Sequence, residues 1–238
     1  VMIIKQMNSA LDFLRDKYGV GPGLIAKGPE YFQLVPPDGK KVDLLPHRVE
    51  RRFVELKKII DGKTLEGVST FRFAAFRPSG DLRKMLAAEL DLAAFLSGSE
   101  VSGLFAAGDG KRVCNVIFRL LNGMSGCIEC SSGLPAGTPL LDRHEVIARR
   151  GVASDRVVDT QVPQHSIYLW NEDGTATYTD VDTELFGLSD EAIWTVRAAF
   201  AVLSNPSLAA LWNRSAAVSL RQAEAALDSA LSGTPVTF

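Results

Sequence analysis

The sequence predicts an α+β fold with an open, mostly antiparallel mixed sheet and helices on one face. Short strand patterns follow one another through tight turns between residues 101 and 180, and Asn122-Gly123 is a strong hairpin signal. Helical periodicity marks residues 2–17, 49–60, 81–98 and most of the chain after Asp190. Because strands joined by tight turns pair antiparallel, one sheet face is available for these helices to cover.

The elements before the main sheet follow from local signals. Apolar spacing over residues 2–17 predicts a helix that Gly19 ends. The Gly- and Pro-rich stretch from Gly19 to Lys41 predicts a loop with one hairpin, Tyr31–Leu34 against Val42–Leu45. A second helix is expected from Val49 to Ile60, followed by a strand over Val68–Phe76.

The remaining strands and helices are bounded by Gly, Asn and Pro. We expect strands at 101–107, 113–121, 124–131, 144–150, 156–162, 166–170 and 175–180. Two helices close the chain, one from Asp190 to the Asn205-Pro206 stop and one from Leu208 to Leu231. The last residues, Pro235–Phe238, predict an edge strand.

The helix over residues 81–98 carries the first candidate site. Ser79 or Asp81 can cap its start and Gly98 its end. One face is apolar, while the other gathers Lys84, Ala88, Asp91 and Phe95. An acid, a base and an aromatic ring at these spacings are typical of a functional surface; the alternative is that Lys84 and Asp91 are simply solvated.

A second candidate lies where the strand ending at Leu45 meets the next helix. His47 and Arg48 occupy this junction, and such junctions often carry side chains that contact a ligand. The alternative is ordinary surface charge on a basic turn.

Composition excludes several classes of function. The 238 residues are 46% hydrophobic, and their net charge of −2 gives no general attraction to nucleic acid or to an anionic membrane. No apolar run reaches the ~18–20 residues of a membrane span. The three cysteines indicate a reducing compartment, hence a cytoplasmic protein. Cys127 and Cys130 have metal-ligand spacing but lie in a predicted strand, where they would point to opposite faces, so we expect no metal site.

Several segments resemble the glucose–fructose oxidoreductase / inositol dehydrogenase family. Residues 44–49 and 53–60 are similar to its entry into the second domain, and Gly67-Val68 resembles the start of that domain's first strand. Residues 89–98 resemble the family's catalytic-helix segment, and 225–236 its closing helix and last strand. The resemblance covers most of residues 40–238.

The resemblance implies a C-terminal substrate-binding and oligomerisation domain over residues 44–238, with residues 1–43 as the remnant of a connection to a cofactor domain. It implies a small-molecule hydroxy substrate such as a sugar or polyol, NAD or NADP as cofactor, and a homo-oligomer formed through the open sheet face. Asp91 would be catalytic, and His47 and Arg48 would bind substrate.

Two departures qualify the implied chemistry. The sequence has no GxGxxG motif between a strand and a helix, and no room for a Rossmann domain before residue 40. The family's Gly-x-His-x-x-Asp pattern is represented by Leu86, Ala88 and Asp91, so only the Asp matches. Alanine cannot exchange a proton, and Lys84, one turn earlier, is the candidate replacement if burial lowers its pKa.

Two functions follow. The chain is either the substrate-binding part of an oxidoreductase, or a non-catalytic binding or assembly module that kept the fold. Residue 1 is Val rather than Met, which suggests a processed chain or part of a longer one.

Overall fold

The computed structural model describes residues 2–155, 167–171, 174–178 and 186–238. Within these ranges the helices are α1 (Met2–Tyr18), α2 (Arg51–Asp61), α3 (Leu82–Ser97), α4 (Asp190–Ser204) and α5 (Leu208–Ser232). The strands are β1 (Leu24–Lys27), β2 (Phe32–Val35), β3 (Val42–Asp43), β4 (Val68–Phe76), β5 (Val101–Gly108), β6 (Val113–Leu120), β7 (Ser125–Ser131), β8 (Leu141–Ala148), β9 (Gly151–Ser154), β10 (Ile167–Asn171), β11 (Gly174–Tyr178) and β12 (Val236–Thr237).

The chain divides into two compact units, each assembled from two stretches of sequence. The first unit comprises residues 1–52 and 159–214, and the second comprises 53–158 and 215–238.

The first unit packs α1 against α4 beside a three-stranded sheet of order β1-β2-β3. Asn8 joins α1 to the sheet: its Oδ1 accepts from the Ile25 N–H at 2.8 Å, and its Nδ2 donates to the Ile25 carbonyl at 2.9 Å. The predicted hairpin is confirmed, because Gln33 pairs with Asp43 and Leu34 with Val42. The sequence did not predict β1, which pairs with β2 through residues 24–27.

The second unit is built on a seven-stranded sheet of order β12-β5-β6-β7-β4-β8-β9. Every described pairing in it is antiparallel except that of β4 with β7, so the predicted open, mostly antiparallel mixed sheet is confirmed. The turn after Leu120 that contains Asn122-Gly123 joins β6 to β7 as predicted. The predicted C-terminal edge strand is β12, which pairs with β5.

Helices cover one face of this sheet. α3 lies against β4, β6 and β7. The same core contains Phe53 and Leu56 of α2 and Ala223 and Ala226 of α5. Buried and exposed residues alternate along β6, whose outward side chains belong to the opposite face; among them Ile117 is 64% exposed.

Gly126 shows how closely the strands and side chains of the covered face approach. A Cβ at this position would lie 2.4 Å from Cζ of Phe118 and 2.7 Å from the carbonyl oxygen of Phe71. Because these atoms belong to a buried ring and to the backbone, glycine is required there.

Some predicted boundaries need correction. The helix expected from Val49 begins at Arg51, because Pro46–Arg48 forms a 3-10 turn before it. The strand expected over 144–150 is instead the end of β8 followed by a turn at Arg149-Arg150, after which β9 begins at Gly151. The strand predicted over 156–162 lies outside the described residues.

Candidate functional site

Helix α3 is held firmly at both ends. Asp81 is the N-cap, and its Oδ1 accepts from the N–H groups of Arg83 at 2.9 Å and Lys84 at 3.3 Å. Gly98 ends the helix in the left-handed conformation, with φ of 64°. Arg83 also reaches Glu224 of α5, with 2.8 Å between Nη1 and Oε1. These contacts fix the start and the end of the helix that carries Lys84 and Asp91.

The face with Lys84, Ala88, Asp91 and Phe95 is more enclosed than a solvated helix face. Asp91 is only 3% exposed, and the other three residues are half-buried. The Lys57 ammonium lies 6.0 Å from the centre of the Phe95 ring, which adds a cation beside this face. Lys84 and Asp91 are seven residues apart, about 10 Å along the helix axis. The burial of Asp91 argues against its being an ordinary surface carboxylate.

His47 and Arg48 lie in the 3-10 turn Pro46–Arg48 of the first unit. The turn is closed by backbone hydrogen bonds, from Arg48 to Leu45 at 3.0 Å and from Val49 to Pro46 at 3.1 Å. Both side chains are half-buried. Lys84 and Asp91 both lie on α3, in the second unit. The two residues of each predicted pair therefore share one element, and the two pairs belong to different units.

A cluster that the sequence did not predict lies beneath α3. His144 of β8 is 1% exposed; its Nε2 lies 3.0 Å from Oε2 of Glu89, and its Nδ1 lies 2.6 Å from Oδ2 of Asp155. Asp155 also accepts the His144 backbone N–H at 2.8 Å and donates its own N–H to the His144 carbonyl at 3.1 Å. We call Glu89, His144 and Asp155 the buried triad.

The surroundings of the buried triad determine its charge. The His144 ring packs edge-on against Phe53, with 4.7 Å between ring centres, and lies 5.1 Å from Phe73. Desolvation by burial lowers the pKa of His144, but the carboxylates of Glu89 and Asp155 outweigh it and raise the pKa to about 9. The imidazole is therefore protonated at neutral pH and lies between two acceptors.

The buried triad suits positioning better than catalysis. His144 is sealed between rings and carboxylates, so it offers no nitrogen to a ligand. His144 connects β8 to α3 through Glu89, and to the end of β9 through Asp155, the residue that follows this strand. Glu89 precedes Asp91 by two residues, so the same ion pair holds the helical segment on which Asp91 sits.

No local pattern in the sequence predicts the buried triad. Glu89 and His144 are 55 positions apart and meet only through helix packing on the sheet. A glutamate within an apolar helix was the one available hint.

The cysteines do not form a metal site within the described residues, where no suitable His, Cys, Asp or Glu group occurs. Cys130 is buried and Cys127 is half-buried on the other face of β7, as the strand alternation predicts. Cys114 faces Cys130 across the β6–β7 pair. Burial raises the pKa of both buried thiols, to about 11 for Cys114 and well above the ordinary value for Cys130, so they are poor nucleophiles.

Several solved structures with the same fold are dehydrogenases. A probable dehydrogenase from Thermotoga maritima matches with a TM-score of 0.59 at 20% identity, over 81% of this chain and 63% of that one. A myo-inositol 2-dehydrogenase from Lactobacillus plantarum matches with a TM-score of 0.59 at 14% identity, over 82% and 63% of the two chains. This chain has the fold of these dehydrogenases.

A third structure carries ligands. It is a scyllo-inositol dehydrogenase from Lactobacillus casei with bound NAD(H) and scyllo-inositol, with a TM-score of 0.58 at 15% identity, over 81% of this chain and 63% of that one. The chain thus spans less than two thirds of the length of these structures. A scan against protein-family models finds no match, and neither does a search of curated proteins.

No helix in the described ranges has the length and hydrophobicity needed to cross a membrane.

Proposed function

We propose that this chain is the substrate-binding and oligomerisation part of an NAD(P)-dependent oxidoreductase acting on a sugar, polyol or related hydroxy compound. The observation that carries the proposal is Asp91: it lies buried on α3, where the family pattern places an aspartate, within a fold shared with inositol dehydrogenases. The division into a connecting segment, residues 1–43, and a substrate domain, residues 44–238, belongs to the proposal, as does a cytoplasmic location.

In this proposal Asp91 accepts a hydrogen bond from one substrate hydroxyl and orients the substrate. Lys84, half-buried on the same face, exchanges the proton of the reacting hydroxyl, a role that the side chain of Ala88 cannot fill. His47 and Arg48 bind the substrate through their polar ring and guanidinium. The sequence contains no GxGxxG motif, so none of its residues is assigned to binding NAD or NADP.

The alternative is a non-catalytic binding or assembly module derived from the same fold. Ala88 favours this alternative, because its methyl side chain can neither donate nor accept a proton at the position where the family pattern has a histidine. The enclosure of Asp91 and the half-buried Lys84 on the same helix face favour the oxidoreductase.

Turnover measured on the protein isolated from its native source separates the two functions. Intact mass shows whether the isolated protein exceeds 25.8 kDa. Reduction of NAD and NADP is then followed by absorbance with a panel of inositols, hexoses and pentitols. The oxidoreductase predicts turnover with at least one hydroxy compound, whereas the non-catalytic module predicts none with any of them.

Variants of the same protein test the residue roles. Asp91→Asn is expected to lower kcat/KM by about 10²-fold or more, because a buried carboxylate that orients the substrate is lost. Asp228→Asn, an exposed aspartate of α5, is the matched control and should leave turnover unchanged. Lys84→Ala with unaltered turnover would remove Lys84 from the mechanism.

A further inference from the structure

The first unit contains a cavity of about 670 Å³ that is lined by none of the candidate site residues described above. It is bounded by the β2–β3 loop, the end of α4 and the start of α5, all within this unit. Its volume lies within the ~300–1,000 Å³ typical of small-molecule sites.

The inner wall of the cavity is apolar. Leu34, Val42 and Val202 are each at most 3% exposed, and Leu203 and Ala209 complete this wall. The wall offers no donor or acceptor from its side chains, so it suits an alkyl chain or an aromatic ring.

The solvent side of the cavity is cationic. Lys40 and Lys41 line it and are exposed, and among the described residues that line it Asp38 is the one acidic residue. Lys40 is partly neutralised, since its Nζ lies 3.8 Å from Oδ2 of Asp38. In the described part of the chain no carboxylate lies within ion-pair distance of the Lys41 ammonium. Two lysines and one aspartate leave an excess of one positive charge.

Hydrogen bonds to backbone groups hold this cationic edge in place. Oδ1 of Asn213 accepts from the Asp43 N–H at 2.8 Å, and its Nδ2 donates to the Lys41 carbonyl at 3.0 Å. The turn before it is closed by hydrogen bonds from Gly39 to the Pro36 carbonyl at 3.0 Å and from the Lys40 N–H to Asp38 Oδ1 at 3.1 Å. The backbone of Lys41 is therefore fixed beside the cavity, which limits the entropy lost when a ligand binds.

We propose that this cavity binds an amphipathic monoanion, an alkyl or aryl carboxylate whose apolar body lies on Leu34, Val42 and Val202 and whose carboxylate pairs with Lys41. Charge and polarity select this class of ligand. A neutral polyol would bury hydroxyl groups against an apolar wall that offers them no hydrogen-bond partners, and a polyanion would be repelled by the carboxylate of Asp38. The site is independent of the proposed dehydrogenase function, which concerns other residues.

Calorimetric titration of the purified chain with decanoate tests the proposal, with 1-decanol as the neutral probe of the same length. We expect saturable 1:1 binding of decanoate and binding of the alcohol weaker by about tenfold or more, since a charge-assisted hydrogen bond is lost. Equal affinity for the two probes, or no saturable binding of decanoate, would overturn the proposal.

Two variants locate the site. Lys41→Gln is expected to weaken decanoate binding by about tenfold, whereas Lys111→Gln, an exposed lysine in the turn before β6, should leave it unchanged. Ala209→Trp fills the cavity and should abolish binding. If Ala209→Trp does not fold, Lys41→Gln decides alone, because its side chain is exposed. Equal binding by the two glutamine variants would show that decanoate binds elsewhere.

A second copy of the chain is the competing occupant of the cavity, and the mass of the unliganded chain measured by light scattering tests for it. If Ala209→Trp converts a dimer to a monomer while decanoate does not bind the wild type, a second copy covers the cavity and the proposal is wrong.

Discussion

His144 keeps its proton although it is almost completely buried. A buried imidazole surrounded by phenylalanine rings would normally be neutral, because burial disfavours the charged form. Here Glu89 and Asp155 contact opposite ring nitrogens, so both N–H groups donate to carboxylates only while the ring is charged. In the buried triad, two charge-assisted hydrogen bonds therefore replace the hydration that the charged His144 ring would have in water.

This arrangement makes the stability of the chain depend on pH. The pKa of His144 rises from 6.5 in the unfolded chain to about 9 in the folded one, so the stabilisation is complete below pH 6.5 and is lost as pH rises through 9. We expect the free energy of unfolding to fall across this window by at most about 3 kcal/mol from this group. Urea titrations at successive pH values measure the change.

Glu89→Gln identifies the triad as the source of that pH dependence. With one carboxylate neutralised, the pKa of His144 rises less, and the decline between pH 6.5 and 9 should become shallower. Glu55→Gln is the control, because Glu55 pairs with Lys58 at 2.9 Å on an exposed helix face. A decline of equal steepness in wild type and Glu89→Gln would contradict the assignment.

At the scale of elements, the ends of α3 illustrate what local sequence can specify. The sequence allowed Ser79 or Asp81 as the cap, and the structure selects Asp81, whose carboxylate accepts two backbone N–H groups. Gly98, predicted as the stop, is the C-cap with positive φ. Both signals depend on a few neighbouring residues, which is why the sequence alone identified the stop and limited the cap to two candidates.

Elements and contacts that depend on distant residues were not predictable in the same way. Strand β1 follows a Gly- and Pro-rich stretch, and it is ordered by Asn8, 17 positions from Ile25. The buried triad likewise needs the register of β8 on β4, in which His144 faces Phe73. Asp91 was proposed from its helical position, but its burial depends on the tertiary packing around α3.

Replacement of the α3 cap gives a prediction at this scale. Asp81→Ala removes the acceptor for the N–H groups of Arg83 and Lys84, and we expect it to lower the free energy of unfolding by about 1 kcal/mol. Ser79→Ala, the rejected capping residue, should change it by less than about 0.5 kcal/mol. Urea unfolding of both variants measures the difference, and equal effects would argue that the Asp81 carboxylate contributes nothing as a cap.

At the scale of the whole molecule, the face of the seven-stranded sheet that carries the exposed Ile117 raises the question of assembly. The pairing registers align Phe105, Ile117, Cys127, Arg72 and Glu145 in one row across five strands. Phe105 is 38% and Ile117 64% exposed, whereas Arg72 and Glu145 form an ion pair at 3.4 Å. The row is therefore apolar toward β5 and charged toward β8, as an interface with a polar rim would be.

Charge introduced into the apolar part of this row tests the proposed homo-oligomer. A lysine at position 117 would be desolvated between two copies, so Ile117→Lys is expected to shift the mass measured by light scattering from oligomer to monomer at micromolar concentration. Leu121→Lys is the matched control: Leu121 is 69% exposed but lies in the turn after β6, off the row. A monomeric wild type, or an oligomer that Ile117→Lys and Leu121→Lys both leave intact, would mean that this face does not assemble the protein. A shift confined to Ile117→Lys would instead place one copy on the other through β5 and β6.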